Sequence, residues 1–287
     1  AFLQSLAQNG EGGLQADVAV IQSKLASGDT AGALAYVDDL ISKSEMSQEL
    51  RYLKAGVLAA NGKYDEATAE FESLLQDTPG STAVVMALSN LKAIEGDREA
   101  SLAVINGGLE VNPDNRALLF AKAGMLERNR DFEGAIAIYE KLYAENSASV
   151  VIANNLASTI TTYRDSREDL ERAYTVARRL RNTQVPAFQD TYGWIAARLG
   201  NYDEALSYLE SAAAALPNEP LAQFHLAETY AGLGRKAEAV ATYQEVLDLQ
   251  EEGSEPSYLA RVTSEMQRLQ AEIDAEASAA GAVEVNQ

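Results

Sequence analysis

Four stretches decide the fold: GKYDEATAEF at 62–71, RDFEGAIAIY at 130–139, GNYDEALSYL at 200–209 and GRKAEAVATY at 234–243. They are versions of one phrase. Working outward, a small residue recurs at Ala33, Ala67, Ser101 and Ala135, each 34 residues after the last. Five places earlier, Gly28, Gly62, Gly96 and Arg130 keep the same step, and Gly200 to Gly234 and Ala205 to Ala239 repeat it. A fixed period of this length marks an array of supersecondary units, none of which buries its apolar face alone.

A second small residue precedes the first by 12 places: Ala55, Ser89, Ala123, Gly193 and Ala227, with Ala157 in the corresponding place of a longer unit. A large residue follows at Phe71, Ile105, Tyr139, Leu209 and Tyr243, and proline closes the unit at Pro79, Pro113 and Pro217. Paired small residues let two helices approach, and proline stops the second from running on. This landmark set resembles the tetratricopeptide repeat. The resemblance implies an all-α, right-handed superhelical solenoid of antiparallel helix pairs. The tryptophan that the family carries at the fourth position is absent, replaced by residues such as Val85, Leu119 and Gln189.

Seven repeats fit 14–253, preceded by a remnant over 1–13 in which Leu3 and Leu6 match the second helix of a missing unit. The chain begins with Ala, and this end reads as cut from a longer array. The exposed half-repeat, with Phe2 also apolar, either frays or buries itself against a second molecule. After the array, Leu259, Val262, Met266, Leu269 and Ile273 mark one face of a capping helix over 254–275, and 276–287 read as disordered. Those five positions also fit a short coiled-coil face. Repeat five breaks step: Ala157 to Ala173 spans 16 residues, and the four extra ones are placed in the turn Tyr163–Arg167. The following helix carries Arg172, Arg178, Arg179 and Arg181, read as a solvated face or a docking knuckle.

The 287 residues are 47% hydrophobic by count but only 7% aromatic, too apolar for disorder and too poor in aromatics for an all-β chain. A net charge of −20 repels nucleic acid and anionic membrane surfaces. No apolar run reaches the ~18 residues of a membrane span, so no direct insertion is expected. There is no cysteine, and His225 is the single histidine, so neither thiolate nor HExxH metal sites exist. No Gly-x-Ser-x-Gly elbow and no phosphate-binding glycine loop occur; Asn106-Gly107-Gly108 sits within a helical pattern. The chain is read as non-catalytic, with no cofactor and no metal.

In the family the first helices line the groove, and the resemblance carries that role to Tyr52, Phe120, Asn154, Asn155, Ser158, Asp190, Trp194, Arg198, His225 and Glu228. Met86 and Gly124 occupy equivalent places. The carboxylate clamp of chaperone-binding relatives is not supported, since only its asparagines are present. An indole on an inner face is expected to stack on a ligand, the alternative being that Trp194 packs into the hairpin core in place of the missing fourth-position tryptophan. The leading expectation is a scaffold holding a protein or peptide. Asn154-Asn-Leu-Ala157, Asp190-Thr-Tyr-Gly-Trp194 and Phe224-His-Leu-Ala227 resemble bacterial repeat lipoproteins of exopolysaccharide export and envelope sorting. That implies a periplasmic or envelope-associated setting, with a cytoplasmic adaptor or a saccharide-binding periplasmic protein as alternatives.

Overall fold

A computed structural model describes residues 13–43, 48–250 and 256–284. Among them every regular element is helical. The chain forms α1 (Gly13–Ala26), α2 (Thr30–Lys43), α3 (Gln48–Ala60), α4 (Tyr64–Asp77), α5 (Thr82–Ile94), α6 (Arg98–Val111) and α7 (Arg116–Arg128). It continues through α8 (Phe132–Glu145), α9 (Val150–Tyr163), α10 (Arg167–Ala177), α11 (Pro186–Arg198), α12 (Tyr202–Ala215), α13 (Pro220–Gly232), α14 (Lys236–Asp248) and α15 (Leu259–Glu284). The all-α class and the helix-pair architecture expected from the repeat are present. The half-repeat at Phe2, Leu3 and Leu6 lies outside the described residues.

Within each compact unit the periodic small residues are the hairpin contacts. Ala33, Ala67, Ser101, Ala135, Ala173, Ala205 and Ala239 are all fully buried, as are Ala55, Ala123, Ala157 and Ala227. Only side chains of this size let two helix backbones approach so closely, and the large residues Phe71, Ile105, Tyr139, Leu209 and Tyr243 fill the space beside them. In the third repeat both small positions are serines. Ser89 and Ser101 satisfy each other: the Ser101 hydroxyl donates to the Ser89 carbonyl at 2.7 Å, and the Ser89 hydroxyl reaches the Ser101 carbonyl at 3.0 Å.

The turn residues share one conformation. Gly28, Gly62, Gly96, Gly200 and Gly234 all have φ between 73° and 85°, and Arg130 adopts φ 63° in the same place. A side chain there costs about 1–2 kcal/mol that glycine avoids, partly offset by glycine's freer unfolded chain. Arg130→Gly is therefore expected to raise stability by about 0.5–1 kcal/mol, read as an increase in denaturation midpoint. A lowered midpoint would show that the arginine side chain holds something in place.

The structure departs from the sequence expectations in three places. Compact packing divides the chain into two units, Ala1–Asn129 and Arg130–Gln287, so the boundary falls inside the fourth repeat rather than at either end of it. The four extra residues of repeat five do not lengthen a turn. The connection Arg164–Ser166 is as short as Asn129–Asp131; α9 runs one residue longer than α7, and α10 begins six residues before Ala173 where α8 begins three before Ala135. The cause is a helix cap: the Ser166 hydroxyl accepts from the Asp169 N–H at 3.1 Å, with Glu168 and Asp169 in the first turn. Finally, the last helix does not stop at 275. It reaches Glu284, and Lys236 on α14 pairs with both Glu272 and Glu276, giving the segment after 275 a partner. Val262 and Leu269 are buried with Ala239, Tyr243 and Val246, so this apolar face is spent on the array itself and not on a coiled-coil partner.

Half of the arginine-rich segment is also spent internally. Arg172 pairs with Glu140 and Arg181 with Glu204, while Arg178 and Arg179 remain exposed.

Candidate functional site

Within the second unit the first helices α9, α11 and α13 lie side by side. A cleft of about 450 Å³ opens on this face. Ser158, Thr161 and Thr162 come from α9, Asp190, Trp194 and Arg198 from α11, Leu221, Phe224 and His225 from α13, and Tyr258 from the segment before α15. Pro186 and Pro220 start α11 and α13 at positions where a missing N–H costs nothing, which fixes where each helix begins presenting its side chains.

A spacing of four residues stacks Asp190, Trp194 and Arg198 along one face of α11. His225 reaches over from α13. Its ring lies 4.2 Å from the Trp194 ring at an interplanar angle of 13°, and its Nδ1 sits 2.9 and 3.0 Å from the two Asp190 oxygens. Arg198 reaches toward α9 instead. It donates to the Thr161 carbonyl at 2.9 Å and to Asp165 at 2.7 Å, with its guanidinium carbon 5.7 Å from the Trp194 ring centre. Phe224 stacks on Tyr258 with ring centres 5.0 Å apart. Trp194 is therefore not a bare platform awaiting a ligand. It is half-buried, one face taken by His225, and it packs at the edge of the apolar clusters around Phe224 and Leu226.

Of the residues singled out from the sequence, Ser158, Asp190, Trp194, Arg198 and His225 converge on this cleft. Others do not. Asn155 faces Tyr139, whose hydroxyl is 3.4 Å from its amide nitrogen, and the Asn154 amide nitrogen is 3.4 Å from the Asn155 oxygen. The Glu228 carboxylate accepts from the Tyr243 hydroxyl at 2.7 Å and from the Arg261 guanidinium, tying α13 to α14 and α15. Tyr52 lines a separate cleft of about 340 Å³ in the first unit, with Val18, Leu53, Leu74, Thr78 and Val84. Phe120, half-buried on α7, does not line that cleft.

The sequence reasoning missed Thr161, Thr162, Leu221, Phe224 and Tyr258. The first four stand at the second, fifth, twelfth or thirteenth place of their repeats, which the family uses to line its groove, so repeat position finds them if applied to apolar and hydroxyl residues alike. Tyr258 follows the last repeat and carries no periodic signal.

A helical repeat array with an aromatic-walled cleft on its first-helix face has the architecture of an interaction scaffold. Tetratricopeptide-repeat family models match residues 24–91, 88–150 and 193–254, well over half of the chain, and the chain belongs to that family. A TPR repeat-containing protein of Pseudomonas aeruginosa is 27% identical over 178 residues, 60% of this chain and 29% of that protein, so the chain spans under a third of this curated relative. Among solved structures, Cut9 with Hcn1 from the APC/C superposes with TM-score 0.60 at 14% identity, over 93% of this chain and 51% of that one. The C-terminal part of a TPR repeat-containing protein of Cytophaga hutchinsonii gives 0.56 at 13%, over 86% and 98%. The TPR protein YrrB gives 0.50 at 17%, over 64% and 93%. At these identities the likeness concerns the fold. The family's repeats are interaction scaffolds.

Proposed function

We propose that the second unit holds an extended segment of a partner polypeptide in the α9–α11–α13 cleft. The observation that carries this is the wall chemistry. Leu221, Phe224, Trp194 and Tyr258 give apolar area for side chains, and Ser158, Thr161, Thr162 and Asp190 along one edge offer groups for a backbone whose hydrogen bonds are otherwise lost on binding. A sugar ring stacks on an open aromatic face, and His225 already covers one face of Trp194, which favours peptide over saccharide. YrrB, a neighbour by fold, is described as having an unusual peptide-binding site. We extend the proposal to a bacterial envelope assembly for exopolysaccharide export or sorting, in the periplasm rather than the cytoplasm. Its support is the three phrases of repeats five to seven.

Trp194 is the chain's single tryptophan, so its emission reports from inside the cleft. Titration with peptides from a random-sequence array is expected to change that emission. Leu221 is 41% exposed, so Leu221→Asp is expected to weaken binding at least tenfold with an unchanged melting temperature. Binding that ignores Leu221→Asp, or an emission response to glycans and to no peptide, overturns the reading.

A further inference from the structure

His225 is over nine-tenths buried, yet only one of its two ring nitrogens is used. The ionised Asp190 carboxylate accepts and does not donate, so the proton sits on Nδ1 and is given to Asp190. With Nδ1 as the donor, the tautomer that can accept carries its lone pair on Nε2. That atom has no hydrogen-bond partner among the described residues, and His225 lines the cleft. The stack on Trp194 and the bond to Asp190 together prevent the ring from turning away.

The neighbouring polar groups present acceptors too. The Thr161 and Thr162 hydroxyls donate their protons to the Ala157 and Ser158 carbonyls of their own helix, at 2.7 and 2.8 Å, and the exposed Thr162 hydroxyl keeps its lone pairs free to accept. Arg198, the one cation among the described residues lining the cleft, is committed to the Thr161 carbonyl and Asp165. The Arg198 charge is met by Asp165, which leaves Asp190 as the remaining charged carboxylate among the described lining residues, in a chain of net charge −20. An occupant that brings no donors leaves these groups desolvated and unpaired, which is costly.

We propose, resting on the peptide-binding reading above, that the cleft recognises a basic segment. A lysine or arginine side chain of the partner enters between the aromatic walls, its cationic head donating to His225 Nε2, with the Asp190 carboxylate across the imidazole ring at Nδ1. The aliphatic stem of such a side chain covers Phe224 and Leu221 while its head stays at the polar wall. His225 is the acceptor that fixes position, and Asp190 both supplies the charge and holds the histidine tautomer.

The test selects peptides on an immobilised random-sequence array with the full chain, then titrates the selected peptide while following Trp194 emission. Selected peptides are expected to share a lysine or arginine at one register. Replacing that residue by norleucine, which keeps the stem and removes the charge, is expected to weaken binding at least tenfold to the natural chain. Against Asp190→Asn, which preserves shape and the bond to His225, the same replacement is expected to change binding less than threefold. His225→Phe retains the stack and is expected to lose the lysine preference as well. Selected peptides that are neutral or acidic at every register overturn the basic-ligand proposal and leave the peptide-binding reading standing. So does an undiminished norleucine effect with Asp190→Asn. If no peptide is selected at all, both fall together.

Discussion

Glu204→Ala is expected to cost the second unit about 3 kcal/mol, because one carboxylate on α12 serves three donors from three other parts of the chain. The Tyr192 hydroxyl donates to it at 2.6 Å, the Tyr174 hydroxyl at 2.6 Å, and Arg181 at 2.6 Å. Tyr192 is completely buried on α11, Tyr174 lies on α10, and Arg181 follows the short 3₁₀ turn Arg178–Leu180. Removing the carboxylate leaves one phenol free to turn to the other, 3.1 Å away, but not both. Burial pushes the Glu204 carboxyl up, and the bonds from Tyr174, Tyr192 and Arg181 more than offset this, holding it below the ordinary value of 4.5. A carboxyl depressed in the folded state contributes its full stability above that ordinary value. The contribution is lost as pH falls through the lower folded value. Urea midpoints of the natural chain are therefore expected to decline below about pH 4.5, and those of Glu204→Gln to decline less. Equal slopes for the two would show that Glu204 carries no share of the acid sensitivity.

How much of this was legible from the sequence depends on how far apart the interacting residues lie. The hairpin contacts were legible because Ala55 and Ala67, or Ala227 and Ala239, belong to one unit and recur with it. The extra residues of repeat five were misplaced because spacing counts residues without saying whether they are helical. Ser166-Arg-Glu-Asp169 is a capping signature that places them in α10. Glu228 read as a groove residue because its repeat position is a groove position; the Arg261 that occupies it comes from outside the repeats. Trp194 read as waiting for a ligand because its partner, His225, stands one repeat later and the stack depends on how adjacent helices pack. Nothing in the spacing marks the division at Asn129–Arg130, since the period runs through it unbroken.

Gly193→Val is expected to destabilise the second unit by about 3 kcal/mol or more, although glycine inside a helix is ordinarily a weakness. Equivalent positions carry alanine at Ala55, Ala123, Ala157 and Ala227, and substitution to alanine at an open helical site gains roughly 1 kcal/mol. Here a Cβ would lie 2.7 Å from Leu209 Cγ and 3.2 Å from the Ala205 carbonyl oxygen. Cγ is a branch point held by a fully buried side chain, and the carbonyl belongs to α12 itself, so neither yields without moving the helix. The clash outweighs the propensity gain, and Gly193→Ala is expected to lose about 1–2 kcal/mol net, with valine worse because two further methyls enter. The strain falls between Tyr192, which anchors to Glu204, and Trp194, which lines the cleft, so peptide affinity is expected to fall alongside stability. Adding Leu209→Ala opens the space beside the glycine. The double substitution Gly193→Ala, Leu209→Ala is expected to be less damaging than the sum of the two singles by more than about 0.5 kcal/mol, the usual limit of additivity for independent sites. Should Gly193→Ala instead raise the melting temperature, helix propensity alone governs the position and the approach of α11 to α12 is looser than these distances require.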